Sequence, residues 1–305
     1  MRITNKLGLP SPIIRAVTPK RDPQTRRGGA DISVTELVGP PRIKQLRDSH
    51  WDDIVEDASD LLYALYGTIG HDILSKHAAG KLSEQRLRSE FLVGSRRMIV
   101  SGQFDLVEDD DGVRVLSDYK FASAWTYVFG RDEWEYQLNI YRYLLVDNGL
   151  GDVGRLQNVL LFRDWHRRDA ERNSEYPKGR AAVLNQPLWP MEKTRAYIMG
   201  RLAEHLKEMP ECTDDEKMVK LEAVAVQKPG AKRALRVFEE KRDRPGAAAE
   251  DAARFMNEFT AQNPHIQLET VVRESEPLRC KEFCSVWHWC EFGRSIRGFV
   301  PGEPE

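Results

Sequence analysis

The sequence of 305 residues contains four cysteines, almost no net charge and no long apolar run. Because spanning a bilayer takes about 20 consecutive apolar residues, no segment is expected to cross a membrane. The polar N-terminus lacks the apolar block of a signal peptide, so a cytoplasmic protein is expected. A formal charge of −2 argues against bulk electrostatic coating of nucleic acid, although local clusters such as Arg96-Arg97 could still contact phosphates.

Two catalytic motifs are also missing. Without a Gly-x-x-x-x-Gly-Lys-Ser/Thr loop the chain has no helicase motor of its own, so any unwinding would come from a partner. Without a Gly-x-Ser-x-Gly elbow, serine hydrolase chemistry is unsupported. In a reducing compartment four cysteines are more naturally used for metal binding than for two disulfides.

Apolar periodicity predicts an α/β fold with a mixed central sheet flanked by helices. The predicted order is a helix bent near Gly67 and Gly70, three short strands, a helix, a strand and a further helix, over residues 51–77, 87–93, 98–107, 113–119, 134–147, 158–165 and 191–208. A short strand and a helix are predicted nearer the C-terminus, over residues 234–238 and 247–262.

Two carboxylates and a lysine occur on neighbouring predicted strands. Asp118 and Lys120 are two positions apart, so both project from one face of their strand. The acidic Asp109–Gly112 segment predicts a hairpin turn, which can bring Asp105 close to Asp118. Mg²⁺ and Mn²⁺ bind carboxylate oxygens, and Lys120 could orient a water and offset phosphate charge. The alternative is that these residues are solvated positions on an antiparallel strand.

Four motifs occur in a fixed order: Gly-x-x-x-His at residues 67–71, Gly-x-x-Asp at 102–105, Asp-x-Lys at 118–120 and Gln-x-x-x-Tyr at 137–141. In combination they resemble the RecB-like branch of the PD-(D/E)XK nuclease superfamily, which includes AddB and the CRISPR-associated RecB-like exonucleases. Phage-encoded members look especially similar. The resemblance covers residues 57–145 and the cysteines, and it implies a restriction-endonuclease-like core with a mixed sheet.

The resemblance implies a role for each motif residue. A Mg²⁺ or Mn²⁺ ion would be bound by His71, Asp105, Asp118 and the carbonyl of Tyr119. Lys120 would be catalytic together with the two carboxylates. Gln137 and Tyr141, which lie on one helix face, would assist the site or the DNA.

The cysteines form a cluster of three near the C-terminus, Cys280, Cys284 and Cys290, with Cys212 more distant. Four thiolates suit either a tetrahedral Zn²⁺ or an iron–sulfur cluster, and spacing alone does not choose between them. The resemblance implies a 4Fe-4S cluster with a structural role. In better known members the remote cysteine precedes the core and the C-terminal group begins Cys-x2-Cys, whereas Cys212 follows the core. Incidental buried cysteines are the alternative.

We therefore expect a flexible basic arm over residues 1–30, a nuclease core over 31–210 and an extension closing the cluster over 211–305. The expected activity is a DNA exonuclease acting on ends or single strands in recombination, resection or phage DNA processing. Its expected location is the cytoplasm of a bacterium or phage-infected host, with a possible helicase or recombination partner. The alternatives are a catalytically idle iron–sulfur DNA-binding module of a larger complex, a structure-specific or restriction-type endonuclease, and an RNA-directed nuclease.

Overall fold

The structure is a computed structural model that describes residues 1–19, 27–78 and 82–298. The chain divides into two compact units, Met1–Pro210 and Glu211–Glu305. The helices are α1 Ser11–Val17, α2 Val34–Val38, α3 Pro41–Ser49, α4 Leu62–Lys76, α5 Ala124–Phe129, α6 Asp132–Asp147, α7 Arg167–Arg172, α8 Met191–Leu206, α9 Asp214–Lys217, α10 Ala247–Gln262 and α11 Glu291–Ile296. The strands are β1 Arg2–Thr4, β2 Ile32–Ser33, β3 Val55–Asp57, β4 Leu82–Ser83, β5 Arg86–Val93, β6 Arg96–Gln103, β7 Leu106–Asp110, β8 Val113–Ala122, β9 Arg155–Phe162, β10 Ala181–Gln186, β11 Val219–Lys220, β12 Ala223–Gln227, β13 Arg236–Glu239, β14 Glu269–Arg273 and β15 Glu276–Pro277.

A five-stranded mixed sheet in the first unit has the order β10-β9-β8-β7-β4. Strands β8 and β9 are parallel, and the other neighbouring pairs are antiparallel. Helix α6 presents Leu138, Leu144 and Leu145 to the core, and α8 adds Ile198 and Leu202. The predicted α/β fold, a mixed sheet covered by helices, is confirmed.

The β7–β8 hairpin has the turn that the acidic segment predicts. Asp110 pairs with Val113, which leaves a two-residue loop of Asp111 and Gly112. Both loop residues have positive φ, 48° and 79°. This is the backbone that a type I′ turn requires, and Asp-Gly adopts it readily.

The predicted strand over residues 98–107 is wrong, because the chain divides there between two sheets. Strand β6 belongs to the sheet β2-β6-β5, whereas β7 belongs to the five-stranded sheet. At the break, Phe104 and Asp105 are both buried. These two residues belong to neither strand, and they connect one sheet to the other.

The N-terminal residues differ from the predicted flexible arm. Strand β1 pairs in parallel with β3, and the Asp57 carboxylate accepts hydrogen bonds of 2.8 Å from Thr4 Oγ1 and from the Lys6 N–H. This pairing also explains why the predicted helix over residues 51–77 begins only at Leu62. Residues 20–26 of the predicted arm lie outside the described residues.

Helix α2, which contacts α6, is absent from the sequence prediction, although its Ser33-x-x-Glu36 sequence is a signature of a helix start. It begins with a reciprocal capping box: Glu36 N–H donates to Ser33 Oγ, and Ser33 N–H donates to the Glu36 carboxylate. The buried Arg27 guanidinium also binds the Glu36 carboxylate at 2.7 Å. These contacts fix the start of α2 and with it the position of Thr35.

The second unit contains the sheet β13-β12-β14, on which α10 packs through Ala248 and Ala252 against Val224 and Val226. Helix α10 has the predicted bounds, residues 247–262. Strands β11 and β15 pair antiparallel, so the segment after Cys212 lies beside the segment before Cys280. Within the described ranges, no helix has the length and apolar character that a membrane crossing needs.

A buried histidine at the end of α8 makes the stability of the first unit sensitive to acid. His205 Nε2 donates to the Leu37 carbonyl at 3.2 Å, and Nδ1 has no hydrogen-bond partner within the described part of the chain. Burial lowers the pKa of His205 to about 4 from 6.5. As pH falls from 6.5 to 4, the unfolded chain therefore takes up a proton that the folded chain excludes.

We expect the free energy of unfolding to decrease over that window by at most about 1.4 kcal/mol per pH unit through this residue. Urea unfolding of wild type and His205→Gln at several pH values measures the contribution, since glutamine can still donate to Leu37. The variant should show the shallower pH dependence below 6.5. Equal slopes would contradict a buried neutral His205.

Candidate metal centre and active site

Strand β8 carries Asp118 and Lys120 on one face, as the spacing predicts. Lys120 Nζ lies 2.7 Å from Asp118 Oδ2 and donates to Gln137 Oε1 at 2.9 Å. Asp118 is 5% exposed. The ammonium group is thus held between a carboxylate on its own strand and an amide on α6.

Asp105 lies across the hairpin from Asp118. Leu106 pairs with Ser117, so the preceding residue Asp105 faces Asp118. Its carboxylate accepts a 2.6 Å hydrogen bond from the Tyr119 N–H. The pKa of Asp118 is raised, first by burial and also by the charge of Asp105, while Lys120 opposes the shift. Two buried carboxylates side by side favour a bound cation.

His71 enters the site from α4. Its Nδ1 lies 3.3 Å from Asp105 Oδ1 and 3.8 Å from Glu84 Oε1. The pKa of His71 is raised, chiefly by the hydrogen bond with Asp105. Ligand atoms of His71, Glu84 and Asp105 lie within 4.8 Å of one another. Of the predicted ligands, His71 and Asp105 therefore belong to this group, whereas Asp118 is adjacent to it and engaged by Lys120.

Glu84 is not part of any sequence motif. It follows the two-residue strand β4, whose Ser83 pairs with Leu106, so the next residue reaches Asp105. The Glu84 N–H donates to the Asp105 carbonyl at 3.2 Å, and the Gln103 side chain donates to the Glu84 carboxylate. Glu84 has a φ of 50°, which is uncommon for a residue with a side chain. This backbone conformation marks Glu84 as unusual, but it is visible only in the structure, so the sequence did not identify Glu84 as a site residue.

Gln137 and Tyr141 lie one turn apart on α6 and are both buried. The Gln137 amide donates to the Tyr141 hydroxyl at 3.0 Å and to Thr35 Oγ1 at 3.3 Å, while its oxygen accepts from Lys120. Burial is the main cause that raises the pKa of Tyr141, so the phenol stays neutral. These residues position Lys120 through the amide. Thr35 is absent from the sequence prediction because α2 is.

A second polar relay reaches Asp118 from the neighbouring strands. Asn158, the register partner of Asp118 on β9, donates to Asp118 Oδ2 at 2.9 Å. Gln186 on β10 donates to Asn158 Oδ1 at 2.8 Å. Asn158 is fully buried, and buried amides nearly always have hydrogen-bond partners, but its burial is visible only in the structure.

The four predicted cysteine ligands lie in the second unit. Cys284 is buried and the other three are half-buried, and all are thiols rather than disulfides. The pKa of Cys212 is raised to about 12, first by burial and then by Glu216 and the other three cysteines. Among the described residues, the group of candidate metal ligands whose atoms lie within 4.8 Å of one another is His71, Glu84 and Asp105, and it contains none of these cysteines.

A family comparison identifies the superfamily of the chain. Residues 41–291 match the family model of the PD-(D/E)XK nuclease superfamily, and the chain belongs to that superfamily of metal-dependent nucleases. No curated protein matches the chain. A solved structure described as the crystal structure of SSO0001 is similar, with a TM-score of 0.45 and 16% identity, over 68% of this chain and 89% of that chain.

The donor set fits the Mg²⁺ or Mn²⁺ that such nucleases use. Hard divalent cations take oxygen ligands, and a neutral imidazole is acceptable to Mn²⁺. Glu84 and Asp105 supply the carboxylate oxygens and His71 the nitrogen. The adjacent Asp118 carboxylate, whose pKa burial raises, adds negative potential that a cation would offset.

Two glycines on α4 differ in what surrounds them. A Cβ on Gly70 would fall within the Phe121 ring of β8, whereas a Cβ on Gly67 would meet nothing within 4 Å. Gly70, and not the Gly67 of the Gly-x-x-x-His motif, therefore allows α4 to approach β8 and bring in His71.

We expect Gly70→Ala to lower the free energy of unfolding by about 1–3 kcal/mol, because the ring or the helix must move. Gly67→Ala is the matched control and should raise it by up to about 1 kcal/mol through helix propensity. Thermal or urea unfolding of both variants measures the difference. Equal changes in the free energy of unfolding for the two substitutions would contradict the close approach of α4 to β8.

Proposed function

We propose that the chain is a metal-dependent deoxyribonuclease of the RecB-like type that hydrolyses phosphodiester bonds from DNA ends. The main support for the proposal is that His71, Glu84 and Asp105 lie close together beside the Asp118–Lys120 pair. The order of the four motifs along the chain supports the RecB-like assignment. Recombination, resection and phage DNA processing are the settings that suit such an enzyme.

His71, Glu84 and Asp105 would hold the cation, with Asp118 and the Tyr119 carbonyl as further ligands. When bound, Mg²⁺ or Mn²⁺ polarises a phosphoryl oxygen and lowers the pKa of a water. Lys120 carries a positive charge into a pocket of carboxylates, where its ammonium can donate to a water or to a phosphate oxygen. Asp118 and Gln137 restrict Lys120 to one orientation, since both accept from its Nζ.

Gln137, Tyr141 and Thr35 act as positioning residues. Gln137 can accept from Lys120 only while its amide nitrogen faces Tyr141 and Thr35, which fixes the amide orientation. Asn158 plays the same part for Asp118. A site prearranged in this way does not need to reorganise as charge develops on the phosphate.

A structural 4Fe-4S cluster bound by Cys212, Cys280, Cys284 and Cys290 is the second part of the proposal. The cysteine spacing supports it, and so does the pairing of β11 with β15, which places the segment after Cys212 beside the segment before Cys280. Four thiolates suit such a cluster, and a structural Zn²⁺ remains the chemical alternative. The cluster would join the two ends of the second unit and couple metal binding to its folding.

Lys120→Ala tests the proposed chemistry. Degradation of end-labelled linear DNA with Mg²⁺ or Mn²⁺ should slow by about 10²–10³-fold, the usual loss when one transition-state donor is removed. Lys76→Ala is the matched control, because Lys76 is an exposed lysine paired with Asp72. If wild type degraded no DNA, the result would support the alternative of a catalytically idle DNA-binding module. Cleavage of covalently closed circular DNA would favour an endonuclease.

Anaerobic purification followed by metal analysis tests the cluster. About four iron atoms per chain are expected in wild type. Cys280→Ser should lose the iron, whereas Asp105→Ala should retain it, since Asp105 lies in the first unit. A colourless protein with zinc and no iron would contradict the cluster and support the zinc site.

A further inference from the structure

The exposed aromatic side chains of the first unit are confined to two helices. Among its described residues, the Phe, Tyr and Trp side chains that are at least 36% exposed are Tyr63 (60%) and Tyr66 (52%) on α4 and Trp125 (41%), Tyr127 (36%) and Phe129 (79%) on α5. We call these five residues the aromatic strip. Scattered exposed apolar residues are normal on a protein surface, but five aromatic rings restricted to two helices indicate a binding surface.

Both helices are connected to elements of the metal site. Helix α5 begins directly after β8, the strand of Asp118 and Lys120, and Ser123 caps it. Helix α4 carries His71, whose ring lies 5.8 Å from the ring of Phe121 on β8. The aromatic strip therefore lies on the helix that contains His71 and on the helix that follows the strand of Asp118 and Lys120.

The end of β9 contacts both parts of the strip. The Arg163 guanidinium lies 4.1 Å from the centre of the Tyr63 ring and donates to the Phe121 carbonyl at 3.3 Å, while its backbone N–H donates to the Ala122 carbonyl at 3.1 Å. The preceding residue, Phe162, packs edge-on against Tyr127 with ring centres 6.2 Å apart. One ring on α4 and one ring on α5 thus contact two consecutive residues at the end of β9.

The charge of this surface suits a polyanion. Arg163, Arg167 and Arg168 are exposed, and residues 163–172 contain four arginines against three acidic residues, a formal net charge of +1. Since the whole chain has a formal charge of −2, this basic group is a local feature. Surfaces that combine aromatic rings with arginines bind single-stranded nucleic acid, because unpaired bases expose faces that stack on the rings. Bases within a duplex do not expose them.

We propose that the aromatic strip stacks the unpaired bases of a single-stranded nucleic acid next to the cleavage site, so that a single strand is the preferred substrate. This inference rests on the proposed nuclease function. Trp125 is supported from below by the buried Tyr176, with ring centres 5.2 Å apart, and stacks on Phe129 at 6.0 Å and 23°. Phe129 is the most exposed ring of the strip and forms its outer end.

Binding can be measured without catalysis, by fluorescence anisotropy of labelled oligodeoxythymidylate and of a duplex of equal length, in EDTA and at fixed salt. Tyr66→Ala combined with Phe129→Ala should weaken single-strand binding by about ten- to a hundredfold, with duplex binding unchanged. Phe129→Trp should retain wild-type binding. Leu92→Ala is the matched control, because Leu92 is 63% exposed but lies on β5.

Three results would overturn the proposal. In the first, the strip variant, which combines Tyr66→Ala with Phe129→Ala, binds the single strand as tightly as wild type does. In the second, its affinity for the duplex falls as much as its affinity for the single strand. Alternatively, sedimentation could show a wild-type dimer that the strip variant converts to a monomer, which would make the strip an interface between copies of this chain.

Hydrolysis of bis(p-nitrophenyl) phosphate with Mn²⁺ separates this inference from the proposed function. This diester has no base to stack, so wild type and the strip variant should hydrolyse it equally. If both do so while single-strand binding is unaffected in the variant, the strip fails and the nuclease stands. If wild type hydrolyses neither this diester nor DNA but binds single strands through the strip, the nuclease fails and the strip stands.

Discussion

The structure depends on placing two carboxylates, Asp105 and Asp118, side by side where little water reaches them. Without compensation, such a pair repels and its ionised form is unfavourable. The chain offsets the charge with Lys120 and His71 and satisfies the oxygens with the Asn158 amide. Glu84 adds a third carboxylate, so the pocket keeps a net negative charge that a divalent cation can offset.

The break between β6 and β7 is what places Asp105 there. Because the chain passes from one sheet to another at Phe104, the next residue lies at the junction instead of within a ladder. Strand β4 then brings Glu84 to the same point, and α4 brings His71 past Gly70. Each ligand comes from a different element, so the site forms only in the folded first unit.

The features of the site that the sequence predicts arise from local sequence patterns. Period-two spacing placed Asp118 and Lys120 on one face, and the Asp-Gly turn set the hairpin that brings Asp105 opposite. Glu84, Thr35 and Asn158 were missed because each reaches the site through contact with a distant segment. Glu84 follows a two-residue strand, Thr35 lies on a five-residue helix, and Asn158 lies on the parallel partner strand of β8. Periodicity does not detect such contacts. The flexible arm was predicted from composition, which does not detect the pairing of its residues 2–4 with β3.

The central claim is that the cation lies among His71, Glu84 and Asp105, next to Asp118. Crystals soaked in Mn²⁺ and measured at the manganese absorption edge locate the ion directly. The account predicts an anomalous peak at about 2.0–2.3 Å from the carboxylate oxygens of Asp105 and Glu84 and from a His71 nitrogen. A peak elsewhere in the first unit, in protein that still degrades DNA with Mn²⁺, would contradict it.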